Sequence, residues 1–230
     1  MIGWIVAGGH CANCRQRISL RYLATELIVG AEALYLFLHY VPADAAARLT
    51  LCAALYAIAL IDYDWRVIYH VITLGGTLIG FIATAFFVPE VGWLSSLIGI
   101  VVGVGFLFLT GEAYLWLRKR EGLGLGDVYL MGMIGAFVGW QGVIFTLFAG
   151  SLLGAIGGIT FALTGFAQAS PEAVIPAAIN EITRVRRSIV EHEGTPSLMR
   201  TEIPFGPFLA AAATVYALFQ PLLMHWYLPM

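Results

Sequence analysis

The chain has 230 residues, 60% of them hydrophobic and only 11% charged, with a formal net charge of −2 and a mean hydropathy of +0.86. A soluble domain carries roughly 25% charged residues, so this composition excludes a water-soluble globular protein, and the balance of charge gives no basis for expecting a nucleic-acid partner. The class it points to is an all-α, polytopic membrane protein in contact with lipid.

The lead-in, residues 1–21, carries one Cys-x-x-Cys pair, Cys11 and Cys14. Its apolar stretch, of only about six residues and without a preceding basic residue, matches neither a secretory signal nor a full span. Apolar segments then follow at about 22–40, 48–61, 71–88, 93–117, 128–140, 142–166 and 206–228. They predict about seven transmembrane helices, since a crossing takes roughly 20 residues. The second and fifth are short, which predicts tilt or shielding by their neighbours. Glycines recur inside these segments, as at Gly99, Gly103 and Gly105, where small residues let helix backbones approach closely in lipid. Cys52 lies inside a span and reads as a small apolar residue.

Residues 22–166 form a membrane core, and residues 206–230 return to it as the last helix. Between them, the 167–205 loop contains Ser170-Pro171-Glu172, a helix-start signal. Apolar positions follow at Val174, Ile175, Ala178, Ile179, Ile182, Val185 and Ile189. The polar face, with Arg184, Arg186 and Arg187, suits an amphipathic helix lying on an anionic leaflet or on the protein's own surface.

Lys and Arg collect on the cytoplasmic side of membrane proteins. With Arg15, Arg17 and Arg21 placed there, alternation over seven spans brings Arg66, Arg118, Lys119, Arg120, Arg184, Arg186, Arg187 and Arg200 to the same face, and leaves only Arg48 outside. The same topology puts Asp62, Asp64 and Asp127 at the cytoplasmic face.

Asp62 and Asp64 occur in Ile61-Asp62-Tyr63-Asp64-Trp65-Arg66, at the inner end of the second span. Taken alone they are acids at a helix-to-loop boundary, one of them within reach of Arg66. Asp127 follows the glycine-rich turn Gly122-Leu123-Gly124-Leu125-Gly126, and taken alone it is a helix N-cap. Together they are more informative, because a carboxylate beside a membrane span is costly and by default functional. Two carboxylates within hydrogen-bond distance share one proton, so that one acts as base on a water while the other donates to a carbonyl. A side chain at Gly124 or Gly126 would obstruct the approach of that turn to a neighbouring helix and to an extended substrate strand.

Four blocks in order give the chain its likeness. They are Gly8-Gly9-His10-Cys11-Ala12-Asn13-Cys14 with Ile18-Ser19-Leu20-Arg21-Tyr22 and Glu26; Ile61-Asp62-Tyr63-Asp64; Gly124-Leu125-Gly126-Asp127; and Ile203-Pro204-Phe205-Gly206-Pro207. The ordered set, covering nearly the whole chain, resembles the type IV prepilin peptidases, which are membrane aspartyl proteases. The resemblance implies an enzyme of the bacterial inner membrane that cuts the leader from prepilins or pseudopilins, in type IV pilus or type II secretion systems, at the cytoplasmic face. It implies Asp62 and Asp127 as the catalytic aspartates, with Asp64, Gly124, Gly126 and Glu26 in support, Glu26 as a buried acid anchoring Arg or the new N-terminus. It needs no cofactor for proteolysis and leaves N-methylation and oligomeric state open.

The chain departs from the family's pattern in three places. Family members commonly begin with a further span and a cytoplasmic domain bearing two Cys-x-x-Cys pairs suited to zinc, so the N-terminus here looks shortened, and Cys11 and Cys14 offer only half a zinc set, with His10 as a third donor. A disulfide is not expected in that compartment. After Asp64 the chain reads Val67-Ile68-Tyr69-His70 where the family has Ile-Pro or Leu-Pro; His70 reads as interfacial, or as a titratable neighbour of the site. The 167–203 connection is longer than is usual and offers itself to a partner. Two other readings compete. One is a presenilin-like intramembrane protease, disfavoured by the cysteine block and by Ile203-Pro204-Phe205-Gly206-Pro207. The other is a non-catalytic transporter or scaffold, whose matching halves the sequence does not display.

Overall fold

A computed structural model describes residues 8–11, 14, 16–119, 124–164 and 205–227. Among them are six helices: α1 Leu20–His39, α2 Pro42–Trp65, α3 His70–Phe86, α4 Gly92–Arg118, α5 Leu125–Thr164 and α6 Gly206–Tyr227. Five are long and apolar enough to cross a bilayer, and α3 is a shorter apolar helix. The chain is therefore all-helical and of multi-pass membrane character. The seven apolar segments of the sequence fall on these six helices, the fifth and sixth both lying in α5. The amphipathic segment of the 167–205 loop lies outside the described residues, as do Gly122, Leu123 and, in the lead-in, residues 1–7, 12, 13 and 15.

Local chemistry sets the helix limits. Ser19 caps α1, its Oγ accepting from the Arg21 N–H at 3.3 Å. Val41, extended ahead of a proline, separates α1 from α2, and Pro42 opens α2 at the position where a missing N–H costs nothing. Arg66 ends α2 in the left-handed region with its N–H on the Asp62 carbonyl. At the N-terminal end a single antiparallel bridge joins His10 to Arg17. Around it Cys11 N–H donates to the Gln16 carbonyl and Ile18 N–H to the Gly9 carbonyl, at 2.9 and 2.8 Å.

The chain divides into two units, Met1–Leu153 with Pro204–Met230, and Gly154–Ile203. The second is described only as the end of α5, through residue 164. In the first, α2 packs on α1, α3 and α6, while α3 packs on α4. Leu51, Leu55, Ile58, Met131, Ile134 and Leu209 are among the fully buried side chains of its core. Truncating one such residue costs about 2–5 kcal/mol.

The first half of α5 joins this core through close backbone approach. Gly99 of α4 and Gly135 of α5 face each other backbone to backbone, and a β-carbon on Gly99 would lie 2.6 Å from the Gly135 carbonyl oxygen. Direct contact of this kind is how packing, rather than water exclusion, holds helices together in lipid.

Gly139 breaks α5 with φ 71° and ψ −175°, a conformation that only glycine adopts without strain. The break falls next to the boundary between the fifth and sixth apolar segments. It interrupts the i→i−4 ladder, and the Ala136 carbonyl takes buried hydroxyl donors instead, Ser96 at 2.7 Å and Thr84 at 3.3 Å.

A second break is repaired in the same way. Pro221 lies inside α6 and Phe219 leaves helical geometry, so the Ala217 carbonyl has no N–H four residues on. Buried Arg48 donates to it at 2.9 Å, and Tyr40 donates to the Leu218 carbonyl at 2.8 Å. Arg48 is itself held by Asp44 at 2.7 Å and stacks over the Tyr40 ring at 4.2 Å.

Candidate active site

Asp62 lies in the last turn of α2, four residues before its cap, and is only 6% exposed. Its burial follows from what covers it. Gly206, the first residue of α6, lies directly on the carboxylate and donates its N–H to it. The Arg66 charge is within electrostatic range.

Asp127 is the third residue of α5 rather than its N-cap, and its N–H closes a turn on the Gly124 carbonyl at 3.1 Å. It is half-buried, and the Asp62 charge acts on it directly. The two carboxylates named from the sequence, 65 positions apart in the chain, lie within electrostatic range of each other.

Ile68 shares this wall. A β-carbon on Gly126 would meet the Ile68 Cβ at 2.8 Å, and one on Gly206 would meet the Ile68 Cδ1 at 3.4 Å as well as Asp62 Oδ2 at 2.5 Å. The α2–α3 connection, the turn before α5 and the start of α6 therefore converge on one side chain. At Gly124, among the described residues, the nearest atom to a β-carbon is Asp127 Oδ2 at 3.9 Å. A side chain at Gly126 would thus meet Ile68, while at Gly124 no neighbour so close stands among the described residues.

Asp64 is not part of the buried pair. It is exposed and held in a two-pronged bond by Arg21 of α1, with Nη1 to Oδ2 at 2.6 Å and Nη2 to Oδ1 at 2.9 Å. The same guanidinium lies 5.8 Å from the centre of the Tyr63 ring. Asp64 thus ties the start of α1 to the end of α2, and Arg66, within reach of one of the two acids by sequence, acts on Asp62.

Glu26 is exposed on the surface of α1, not buried as expected. His70 is exposed, its ring edge-on to Tyr129 at 4.8 Å, two residues beyond Asp127. Cys52 is fully buried in α2.

Cys11 is half-buried and Cys14 exposed, and among the described residues none of the cysteines forms a disulfide. Two thiolates are half of a tetrahedral zinc set. His10 turns its Nδ1 onto the Gly8 carbonyl at 2.8 Å, and among the described residues no group of three His, Cys, Asp or Glu side chains stands at metal-binding spacing. The described residues alone do not fit a structural zinc site.

The parts that sequence reasoning did not assign are Ile68, Gly206 and Arg21. Gly206 and Arg21 stood inside quoted blocks, but a role for either required knowing which helix end meets which. Ile68 was visible only as a departure from a proline-containing pattern.

Comparison with known proteins bears on this arrangement. Residues 49–159 match the model of the "Type IV leader peptidase family", and residues 1–40 match the "Bacterial Peptidase A24 N-terminal domain". A prepilin leader peptidase/N-methyltransferase of Pseudomonas aeruginosa is 30% identical over 99% of this chain and 68% of its own length. The chain belongs to the type IV leader peptidase family. Another member so named, from Pseudomonas putida, is 29% identical over 95% of this chain and 65% of its own length. The chain thus spans about two thirds of these family members, and the family model's match takes in both Asp62 and Asp127. No solved structure matches the chain.

Proposed function

We propose that this chain is an aspartyl endopeptidase that removes the leader of type IV prepilins or pseudopilins, with Asp62 and Asp127 activating the attacking water. The observation that supports the reading is that the charge of Asp62, at the end of α2 beneath Gly206, reaches Asp127 at the start of α5. Membership of the leader peptidase family supports it.

Two acids in electrostatic contact hold one proton between them. The ionised member takes a proton from water while the protonated member donates to the scissile carbonyl oxygen. Water oxygen bonds to the carbonyl carbon, the C–N bond breaks, and the amine leaves with a proton returned by the pair. No covalent intermediate is required. Enclosure by Ile68 and Gly206 limits bulk water around the pair, which strengthens each charge–charge term.

On this reading the protein sits in the bacterial inner membrane with the pair at the cytoplasmic face, supported by the eleven of twelve basic residues that seven alternating spans would gather there. The hydrolytic chemistry needs no cofactor. Cys11 and Cys14 would hold zinc only with donors contributed from elsewhere. The methyl-transfer half of the relatives' name stays with those relatives.

The test is co-expression with prepilins of the same genome, read as a gel shift of the pilin band. Wild type should shift it, and Asp62→Asn and Asp127→Asn should not. Full processing by either variant would remove that residue from the pair.

A further inference from the structure

Arg66 stands in an unusual place for an arginine. It caps α2 with φ 53° and ψ 38°, and among the described residues only Lys119, the cap of α4, shares a positive φ without being glycine. A β-carbon makes this left-handed region costly, and glycine is the usual residue at such a cap. The Arg66 N–H still closes the last helical turn on the Asp62 carbonyl at 2.9 Å. Glycine would do the same, so what the arginine adds is a charge one turn on from Asp62.

That charge has one acid to act on. The guanidinium forms no ion pair of its own among the described residues, and it lies within electrostatic range of Asp62. The other charged groups near this end of α2 are engaged or distant. Arg21 of α1 is held by both oxygens of Asp64, and His70, at the start of α3, is edge-on to Tyr129. Glu32 of α1 lies deeper, in a cavity with Tyr56 and Pro207. α5 supplies Asp127 and α6 the Gly206 N–H. Asp62 therefore faces one N–H donor and one cation, whereas the charge acting on Asp127 is the negative one of Asp62. A hydrogen-bond donor and an opposite charge favour the ionised form of a carboxyl, and a like charge favours the neutral form.

Resting on the peptidase reading, we propose that Arg66 is a positioning residue that keeps Asp62 as the ionised member of the pair, the one that takes a proton from water, and leaves Asp127 as the protonated member that donates to the carbonyl. The left-handed cap serves this arrangement. It ends α2 directly after the acid's own turn, so that an exposed cation is held beside a buried carboxylate. The guanidinium, being in solvent, brings little desolvation cost of its own.

The pH dependence of kcat/KM for full-length protein in proteoliposomes, given a prepilin that the wild type cuts, separates the charge from the cap. The acid limb follows the first proton lost by the pair and the alkaline limb the second. Arg66→Gly keeps the left-handed cap without strain and removes the charge. Its acid limb should move up by about half a pH unit, so that cleavage below the limb falls about threefold, with the alkaline limb and the KM at the optimum unchanged. Arg66→Lys should show the wild-type limb, and Arg66→Glu should displace it further upward. Lys119→Gly, the same exchange at a cap whose charge is not among those acting on either acid, should leave both limbs in place. If Arg66→Gly does not accumulate in the membrane, Arg66→Gln, which also loses the charge, carries the same expectation. An acid limb unmoved without the charge, an equal displacement in Arg66→Lys or Lys119→Gly, a rise in KM with both limbs in place, or movement of the alkaline limb alone would overturn the assignment while cleavage by wild type still stands. Failure of wild type to cut any prepilin would sink the peptidase reading, and this one with it.

Discussion

Gly206 stands so close to Asp62 that a β-carbon there would lie 2.5 Å from Oδ2 and 3.2 Å from Cγ. The start of α6 therefore acts as a lid of fixed height on a carboxylate of α2. A single methyl must displace either the acid or the helix. Gly206→Ala should lower prepilin cleavage by at least about tenfold, since small misplacements of reacting groups are costly, with no loss of protein from the membrane. Immunoblotting of membranes beside the pilin gel shift measures both. Normal cleavage would show that the lid is not tight.

The same wall can be approached from its other side. Gly126→Ala should impair cleavage because its methyl meets Ile68 Cβ at 2.8 Å. Ile68→Ala in the same chain should restore part of it by removing the branched neighbour. If the second substitution gives no recovery, the contact with Ile68 is not the reason Gly126 is needed.

Asp62→Asn and Asp127→Asn should each reduce the cleavage rate by about 10²–10⁴-fold, the usual contribution of a positioned acid or base. The double variant should be no slower than the worse single one, because residues acting as a unit are not additive. Quantitative processing kinetics in membranes would reveal additive losses, which would mean that the two acids work separately.

Asp64 predicts a much milder phenotype. Its partner is Arg21 and both groups are exposed, so Asp64→Ala and Arg21→Ala should each cost about fivefold or less. The exchange Arg21→Asp with Asp64→Arg should recover more activity than either single reversal. A loss as deep as that of Asp62→Asn would place Asp64 in the chemistry.

Arg48 should matter for stability rather than cleavage specificity. Arg48→Met strands buried Asp44 and the Ala217 carbonyl, a loss of about 3 kcal/mol for a broken buried pair. Thermal unfolding in detergent should show a lower midpoint, and an unshifted midpoint would mean that the α6 break is satisfied otherwise.

These contrasts indicate how far the sequence could be read. Asp62 and Asp127 were legible because acids at the ends of apolar runs stand out against lipid, and the helical class followed from hydropathy. Gly139 was legible only as a gap between the segments 128–140 and 142–166. That its break is mended by Ser96 and Thr84 depends on which helices adjoin α5, and no periodicity carries that. Arg48 was the single basic residue that the charge rule left outside, and its reason is a carbonyl 169 positions away, freed by Pro221. Arg66 stood within reach of either Asp62 or Asp64 in the sequence, but the fork on Asp64 belongs to Arg21, supplied by another helix.

α5 and α6 both begin at the acid pair, and each helix start carries roughly half a positive elementary charge on its unsatisfied N–H groups. Two such ends place up to about one unit of positive partial charge, generated by backbone alone, where it favours ionised carboxylates. No side-chain substitution around the site can delete it while the helices stand. Raising ionic strength, which screens exposed charges over about 10 Å at 0.1 M, erodes it little at an acid as enclosed as Asp62.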